Sequence, residues 1–151
     1  MTDVASDPGS RSGATARLGY LFKHAERRMN ELNAAALAPL GTDARELGIL
    51  QVLADQEPMS QLQAARRLGI DRTTMVAMLD TLEGKGLVSR HPHPTDRRRN
   101  LVELSEAGRT VVESGTRASD DAERELLSVL SPPAAQALRD ALGAVVRRAP
   151  H

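Results

Sequence analysis

The chain has no cysteine, and that one absence excludes disulfides, thiolate zinc sites, thiol nucleophiles and cysteine redox sensing together. Aromatic residues are almost as scarce, Tyr20 and Phe22 being the whole complement. Packing therefore falls to Ala, Leu and Val, which suits closely packed helices better than a large aromatic-lined sandwich. No apolar run approaches a membrane span, and the N-terminus lacks the apolar core of a signal peptide. The expected location is the cytoplasm, with no membrane partner. GxSxG, HExxH and glycine-rich phosphate loops are also missing, and most carboxylates fall on faces expected to meet solvent, so neither an enzyme nor a cofactor is expected. Net charge is zero as well, with 20 basic against 20 acidic residues.

That neutrality conceals a basic middle. Residues 66–99 carry eight Arg/Lys against four acids, whereas residues 100–151 carry six against eight and residues 15–65 five against six. A local excess of this kind is the footprint of a surface that meets phosphates and releases their counterions. The same stretch has the clearest local structure. Asp71 is a good N-cap for a helix whose apolar positions Met75, Met78, Leu79 and Leu82 recur at helical spacing, and Gly84 and Gly86 stop it. The period then changes to two in residues 87–90 and again in 100–104. The Pro- and charge-rich segment between them reads as the long cationic tip of a hairpin.

The remaining elements follow from caps and stripes. At 151 residues the chain is one domain's worth. Residues 1–14 are rich in Ser, Gly, Asp and Pro without periodicity and read as a disordered tail, leaving 15–151 as a single domain. Leu18, Leu21, Phe22, Ala25, Met29, Leu32 and Ala36 form one stripe of a first helix that must end before Pro39 and Gly41. Asp43 with Glu46 forms a capping-box pattern ahead of Leu47, Leu50 and Leu53 in a second helix, closed by Gln56, Glu57 and Pro58. Ser60 with Gln63 opens a third, carrying Leu62, Ala65 and Leu68 and ended by Gly69. The short Gly-containing turn into the Asp71 helix makes a helix-turn-helix. After the hairpin, Ser105 caps a long helix with Ala107, Val111, Ala118, Ala122 and Leu126 inward. Ser131 and Pro132 start a last one with Leu138, Leu142 and Val145. The flanking helices, 15–38 and 106–149, present apolar stripes that the central module, 42–104, does not cover. A second copy of the chain is the expected cover, with Leu21, Ala25, Leu138 and Leu142 in a homodimer interface.

At the level of motif, the stretch around residues 60–109 resembles the core of MarR-type winged helix-turn-helix transcription factors. Leu-Gly-Ile-Asp before the recognition helix, Leu82-Glu-Gly-Lys-Gly-Leu-Val88 at its end, Asp96-Arg97-Arg98 in the wing and Leu104-Ser-Glu-Ala-Gly108 carry the likeness. It covers about fifty residues. The resemblance implies a mainly α fold with a small β-hairpin wing, flanked by dimerisation helices. It further implies a pseudo-palindromic double-stranded DNA operator, repression more often than activation, and release by a small ligand, frequently an aromatic acid or other phenolic. Carried over residue by residue, Arg72, Thr73, Thr74, Val76 and Ala77 would face the major groove. Arg98 would enter the minor groove from the wing tip, with Arg97 and Arg99 beside it. Val76 and Ala77 depart from the pattern of Thr or Ser followed by Arg in many members. They offer only apolar contact, for instance with a thymine methyl, so the operator cannot be read from relatives.

Neighbouring groups have plainer roles. Asp96 is expected to pair with Arg97 or a recognition-helix residue and hold the wing, and Asp80 to pair with an arginine of the wing or strand. His91 and His93 flank Pro92 without a third ligand pattern, so no metal site is expected. Arg17, Tyr20, His24 and Arg27 line one polar and aromatic stripe of the first helix, beside the dimer stripe, and are the candidate ligand-binding residues. The competing reading is a winged-helix module for protein contacts without specific DNA binding, which a gel shift would separate.

Overall fold

Side-chain caps set most helix starts in the computed structural model, which describes residues 16–55 and 58–148 together with Gly13. The tail expected over residues 1–14 lies, Gly13 apart, outside the described residues, as do Gln56 and Glu57. Helix α1 (Leu18–Leu37) runs into a 3-10 turn over Ala38–Leu40, where Pro39 can be accommodated, and Gly41 leaves it at φ 68°. Helix α2 (Ala44–Ala54) begins at Asp43, whose carboxylate accepts from the Glu46 N–H at 2.9 Å. Only half of the expected capping box forms, because the Glu46 side chain turns to Lys85 and Thr42 instead. The full box forms at Ser60, which accepts from the Gln63 N–H while Gln63 Oε1 accepts from the Ser60 N–H. It opens α3 (Gln61–Leu68), and Gly69 closes that helix in the left-handed conformation. Helices α4 (Arg72–Gly84), α5 (Glu106–Leu127) and α6 (Pro132–Arg147) start from Asp71, Ser105 and Ser131, each accepting from an amide three residues on.

The expected hairpin is part of a larger sheet. Strands β2 (Val88–Pro92) and β3 (Asn100–Leu104) pair antiparallel from Val88 opposite Leu104 to Pro92 opposite Asn100. A third strand, β1 (Met59–Ser60), pairs with the other edge of β3 at Val102 and Leu101. Two residues are too few to show an alternation, so periodicity could not reveal β1. His91 and Pro92, assigned from sequence to the tip, belong to β2. Proline is tolerated there because β2 is an edge strand and Pro92 is its last residue.

Ile49 and Leu50 from α2, Met75, Leu79 and Leu82 from α4, and Val102 from β3 are buried to within 1% and form the centre of the core. Two positions, one on α3 and one on α5, depart from otherwise correct stripes. Leu62 is 45% exposed, and Ala64 turns inward beside Ala65. On α5 Ala107 faces solvent, whereas Gly108, Gly115 and Ala122 face inward at seven-residue intervals. A Cβ on Gly108 would stand 2.1 Å from the Leu87 carbonyl oxygen, and one on Gly115 would stand 2.7 Å from Leu47 Cδ1. Glycine is therefore what lets α5 lie against the winged module, a role that a count of apolar side chains passes over.

Outside this core the packing thins. Helices α1 and α5 lie together, joined by a hydrogen bond from Ser119 Oγ to Asn33 Oδ1 at 3.0 Å. Gln51 Nε2 donates to Thr116 Oγ1 at 3.0 Å between α2 and α5. Helix α6 buries Ala135 and is tied by Arg139 to Glu123 at 3.0 Å. Leu18, Leu21, Phe22, Leu138, Leu142 and Val145 stay exposed. Among the described residues no helix is long and apolar enough to cross a membrane.

Candidate nucleic-acid interface

The start of α4 is built around Asp71. Its Oδ1 accepts from the Thr74 N–H at 2.9 Å and its Oδ2 from the Thr74 hydroxyl at 2.6 Å. These bonds, the hydroxyl's first, hold the Asp71 carboxyl below its ordinary range. Thr74 is thus committed to the cap and half-buried, while Arg72 and Thr73 stand exposed on the first turn. Of the other two recognition positions, Val76 is half-buried and Ala77 exposed.

The wing tip is shaped mainly by its own backbone. The His93 N–H donates to the Arg99 carbonyl at 2.9 Å, closing the loop, and the Arg99 N–H donates to the Asp96 carbonyl at 3.0 Å. Asp96 Oδ1 accepts from the Arg98 N–H at 3.1 Å, an Asx turn, and its Oδ2 lies 3.4 Å from Arg99 Nε. Asp96 does hold the wing, but its partner is Arg99 rather than Arg97. The turn folds residue i+3 back over the carboxylate and sends i+1 outward. Arg97 and Arg98 remain exposed and make no ion pair among the described residues, and the same holds for Arg72.

Helix and wing meet at a cleft. A cavity of about 330 Å³ is lined by Arg72 from α4, by Asp96, Arg98 and Arg99 from the wing, and by Gln61 and Leu62 from α3. Leu62 is exposed because its side chain belongs to this cleft instead of the core. Three arginines from two elements, with the one acid of the lining already bonded, make a cationic surface that can take an anionic, groove-shaped partner.

Four residues absent from the expected site, Arg90, Lys85, Glu46 and Thr42, support it from behind. Arg90 on β2 bonds to Asp80 and Glu83 on α4, which supplies the partner expected for Asp80. Lys85, just past α4, donates to Glu46 Oε2 at 2.8 Å and to the Gly41 carbonyl at 2.9 Å, and the Thr42 hydroxyl donates to the same carboxylate at 3.1 Å. Glu46 and Thr42 are both buried. Lys85 and Glu46 stand 39 residues apart, so no local pattern could have joined them. His91 lies 3.9 Å from Glu103, and His93 Nδ1 accepts from the Thr95 N–H at 3.2 Å.

On α1 the expected ligand stripe is only partly assembled. The rings of Tyr20 and His24 lie 4.0 Å apart, but Arg27 is drawn to Glu31 at 3.1 Å and Arg17 stands exposed at the helix start. Arg27 lines a shallow surface depression with Lys23, Glu26 and Glu31, which Arg17, Tyr20 and His24 do not share.

Comparison with known proteins agrees with this architecture. The MarR family model matches residues 43–99. A helix-turn-helix regulator of Bacillus subtilis, YdgJ, whose function is uncharacterised, is 31% identical over 102 residues, which cover 68% of this chain and 62% of that protein. The chain thus spans less than two thirds of the length of the curated relatives it matches. Among solved structures, a probable transcriptional regulator from Pseudomonas aeruginosa superposes with a TM-score of 0.79 at 30% identity, covering 87% of this chain and 98% of that one. The transcriptional repressor CouR, bound to a 23-mer DNA duplex, superposes at 0.81 with 29% identity, covering 95% of this chain and 99% of that one.

Proposed function

The chain belongs to the MarR family of transcriptional regulators, with the winged-helix fold of that family, and from this premise we propose that it binds a pseudo-palindromic DNA operator as a homodimer. The observation that carries the proposal is the cleft where Arg72 at the start of α4 and Arg98 and Arg99 of the wing stand together. In this reading α4 lies in the major groove, with Arg72 and Thr73 as its free polar readers, Thr74 as part of the cap, and Val76 and Ala77 offering apolar contact. Arg98 enters the adjacent minor groove, flanked by Arg97 and Arg99 on phosphates. The exposed stripes of α1 and α6 are covered by the second copy, which places two such surfaces about one helical turn of DNA apart. The bound duplex in the CouR structure supports the docking, and the basic stretch over residues 66–99 supplies the electrostatic attraction.

Repression and its release by an aromatic acid complete the proposal, with the Tyr20–His24 pair as the ligand contact and Arg17 and Arg27 as the carboxylate partners. Titration of salicylate against the protein–duplex complex tests that part. A release midpoint that stays put in the Arg17→Ala, His24→Ala double variant places the ligand elsewhere.

Selection of bound sequences from random duplex tests the DNA-binding reading itself. The expected result is a two-fold symmetric site, at which Arg72→Ala relaxes base preference at one position per half-site, a loss of about 1–3 kcal/mol of discrimination. No enrichment of any sequence would favour the protein-contact module instead.

A further inference from the structure

We infer that Arg90 is a positioning residue that bolts the wing to the recognition helix, so that Arg98 and α4 meet DNA as one preassembled surface. The inference rests on the DNA-binding reading above. It concerns a residue on the sheet, away from the wing tip and outside the first turn of α4.

The geometry is that of a three-way tie. Arg90 Nε donates to Glu83 Oε2 at 2.9 Å, Nη2 to Asp80 Oδ1 at 2.5 Å and Nη1 to Gln61 Oε1 at 3.3 Å. One guanidinium therefore joins β2 to α4 and α3 at once. Asp80 and Glu83 are three residues apart on α4 and share a face, so both carboxylates reach the same planar fork. The Arg90 side chain is only 18% exposed, although Asp80 and Glu83 stay largely open to water. The Glu83 hydrogen bond, ahead of the opposing effect of burial, raises the Arg90 pKa, so the guanidinium stays charged.

The wing needs such a tie because, among the described residues, no other side chain provides one. Loop 93–99 is closed by its own backbone and by Asp96. Among the described residues, Arg90 is the one side chain of the β2–β3 hairpin that hydrogen bonds to α4. A surface that enters two grooves at once gains from fixed spacing, since a loose wing must lose its freedom on docking and returns less of what Arg98 contributes. A competing role is simple neutralisation, with Arg90 offsetting two carboxylates that would repel phosphates. The two roles differ in a measurable way: neutralisation changes overall affinity, whereas a bolt changes how much Arg98 is worth.

The experiment is a set of double-mutant cycles on the full chain, with affinity for the duplex selected by the wild-type protein read by fluorescence anisotropy at fixed salt. In the wild-type background Arg98→Ala is expected to weaken binding by about tenfold or more. In the Arg90→Ala background, and in the Asp80→Asn, Glu83→Gln background, the same substitution is expected to cost less than about threefold. Arg90→Lys, which keeps the charge without the fork, is expected to behave like Arg90→Ala. If Arg98→Ala costs the same factor in every background, or if Arg90→Lys behaves as wild type, the bolt is overturned. Should Arg90→Ala fail to fold by circular dichroism, the carboxylate variant, altered only at exposed positions, carries the test. A wild-type protein that binds no duplex overturns the DNA-binding reading itself, which is a different outcome from intact binding without coupling.

Discussion

The winged module and the flanking helices solve the packing problem differently. The module closes on itself: α2, α3, α4 and the sheet bury Ile49, Leu50, Met75, Leu79, Leu82 and Val102, and its polar groups find partners within it, Glu46 with Lys85 and Thr42, Asp80 and Glu83 with Arg90. The flanking helices α1 and α6 leave Leu21, Phe22, Leu138 and Leu142 open. A chain with 20 acids and 20 bases and ample polar surface has no physical reason to leave such stripes bare, unless they are buried in assembly. The module is thus complete in one copy, whereas the arms carry exposed apolar stripes that, in the proposed function, a second copy covers.

Separating these two kinds of packing gives the largest expected effect. Leu50→Ala removes a fully buried side chain and is expected to cost about 2–5 kcal/mol of stability whatever the protein concentration. The Leu21→Asp, Leu138→Asp double variant touches residues 48% and 40% exposed in one copy, and should leave the module folded while lowering the light-scattering mass from dimer to monomer. A monomeric wild-type mass at micromolar concentration would break the comparison.

The next effect sharpens it at the surface. Arg98→Ala on the module should weaken operator binding by about 1–3 kcal/mol per half-site. Arg139→Ala on α6 loses only a partly exposed ion pair with Glu123 and should change affinity little. Equal affinities for the two variants, read by gel shift, would mean that the wing does not touch DNA.

The smallest effect is a pH dependence confined to the module. Folding lowers the Asp71 pKa below its ordinary 3.8, so the folded state prefers the charged carboxylate. The resulting stability is present above that ordinary value and is lost as the pH falls through the lowered one. Asp71→Asn keeps the capping oxygen but not the titration. The stability difference between wild type and this variant, from urea midpoints, should be constant near neutrality and shrink in acid.

Several elements were legible because the signals that mark them are local. Ser60 with Gln63, Asp71, Ser105 and Ser131 each reach an amide three residues on, and Gly41, Gly69 and Gly86 take the positive φ that ends or leaves a helix. The basic stretch and the Asp96-Arg97-Arg98 segment likewise lie together in the chain. On α5 the stripe of Val111, Ala118, Ala122 and Leu126 was legible, but the contacts of Gly108 and Gly115 were not, because these two contribute by having no side chain. Nor was β1, whose two residues become a strand only when β3 arrives beside them.

The sequence by itself determined where helices start and stop, that the middle of the chain is basic, and that apolar stripes outnumber what one core can cover, since these depend on contacts within a few residues or on composition. Only the tertiary structure decided which charges are spent and which are free. Asp96 takes Arg99 rather than Arg97, Thr74 is used by its own cap, and Lys85 and Arg90 are bound to carboxylates. Arg72, Arg97 and Arg98 remain exposed and outside ion pairs among the described residues. The Asp96 and Thr74 pairings close within three residues and are set by the conformation of one turn and one cap, whereas the Lys85–Glu46 pair spans 39 residues and can form only after the core has closed.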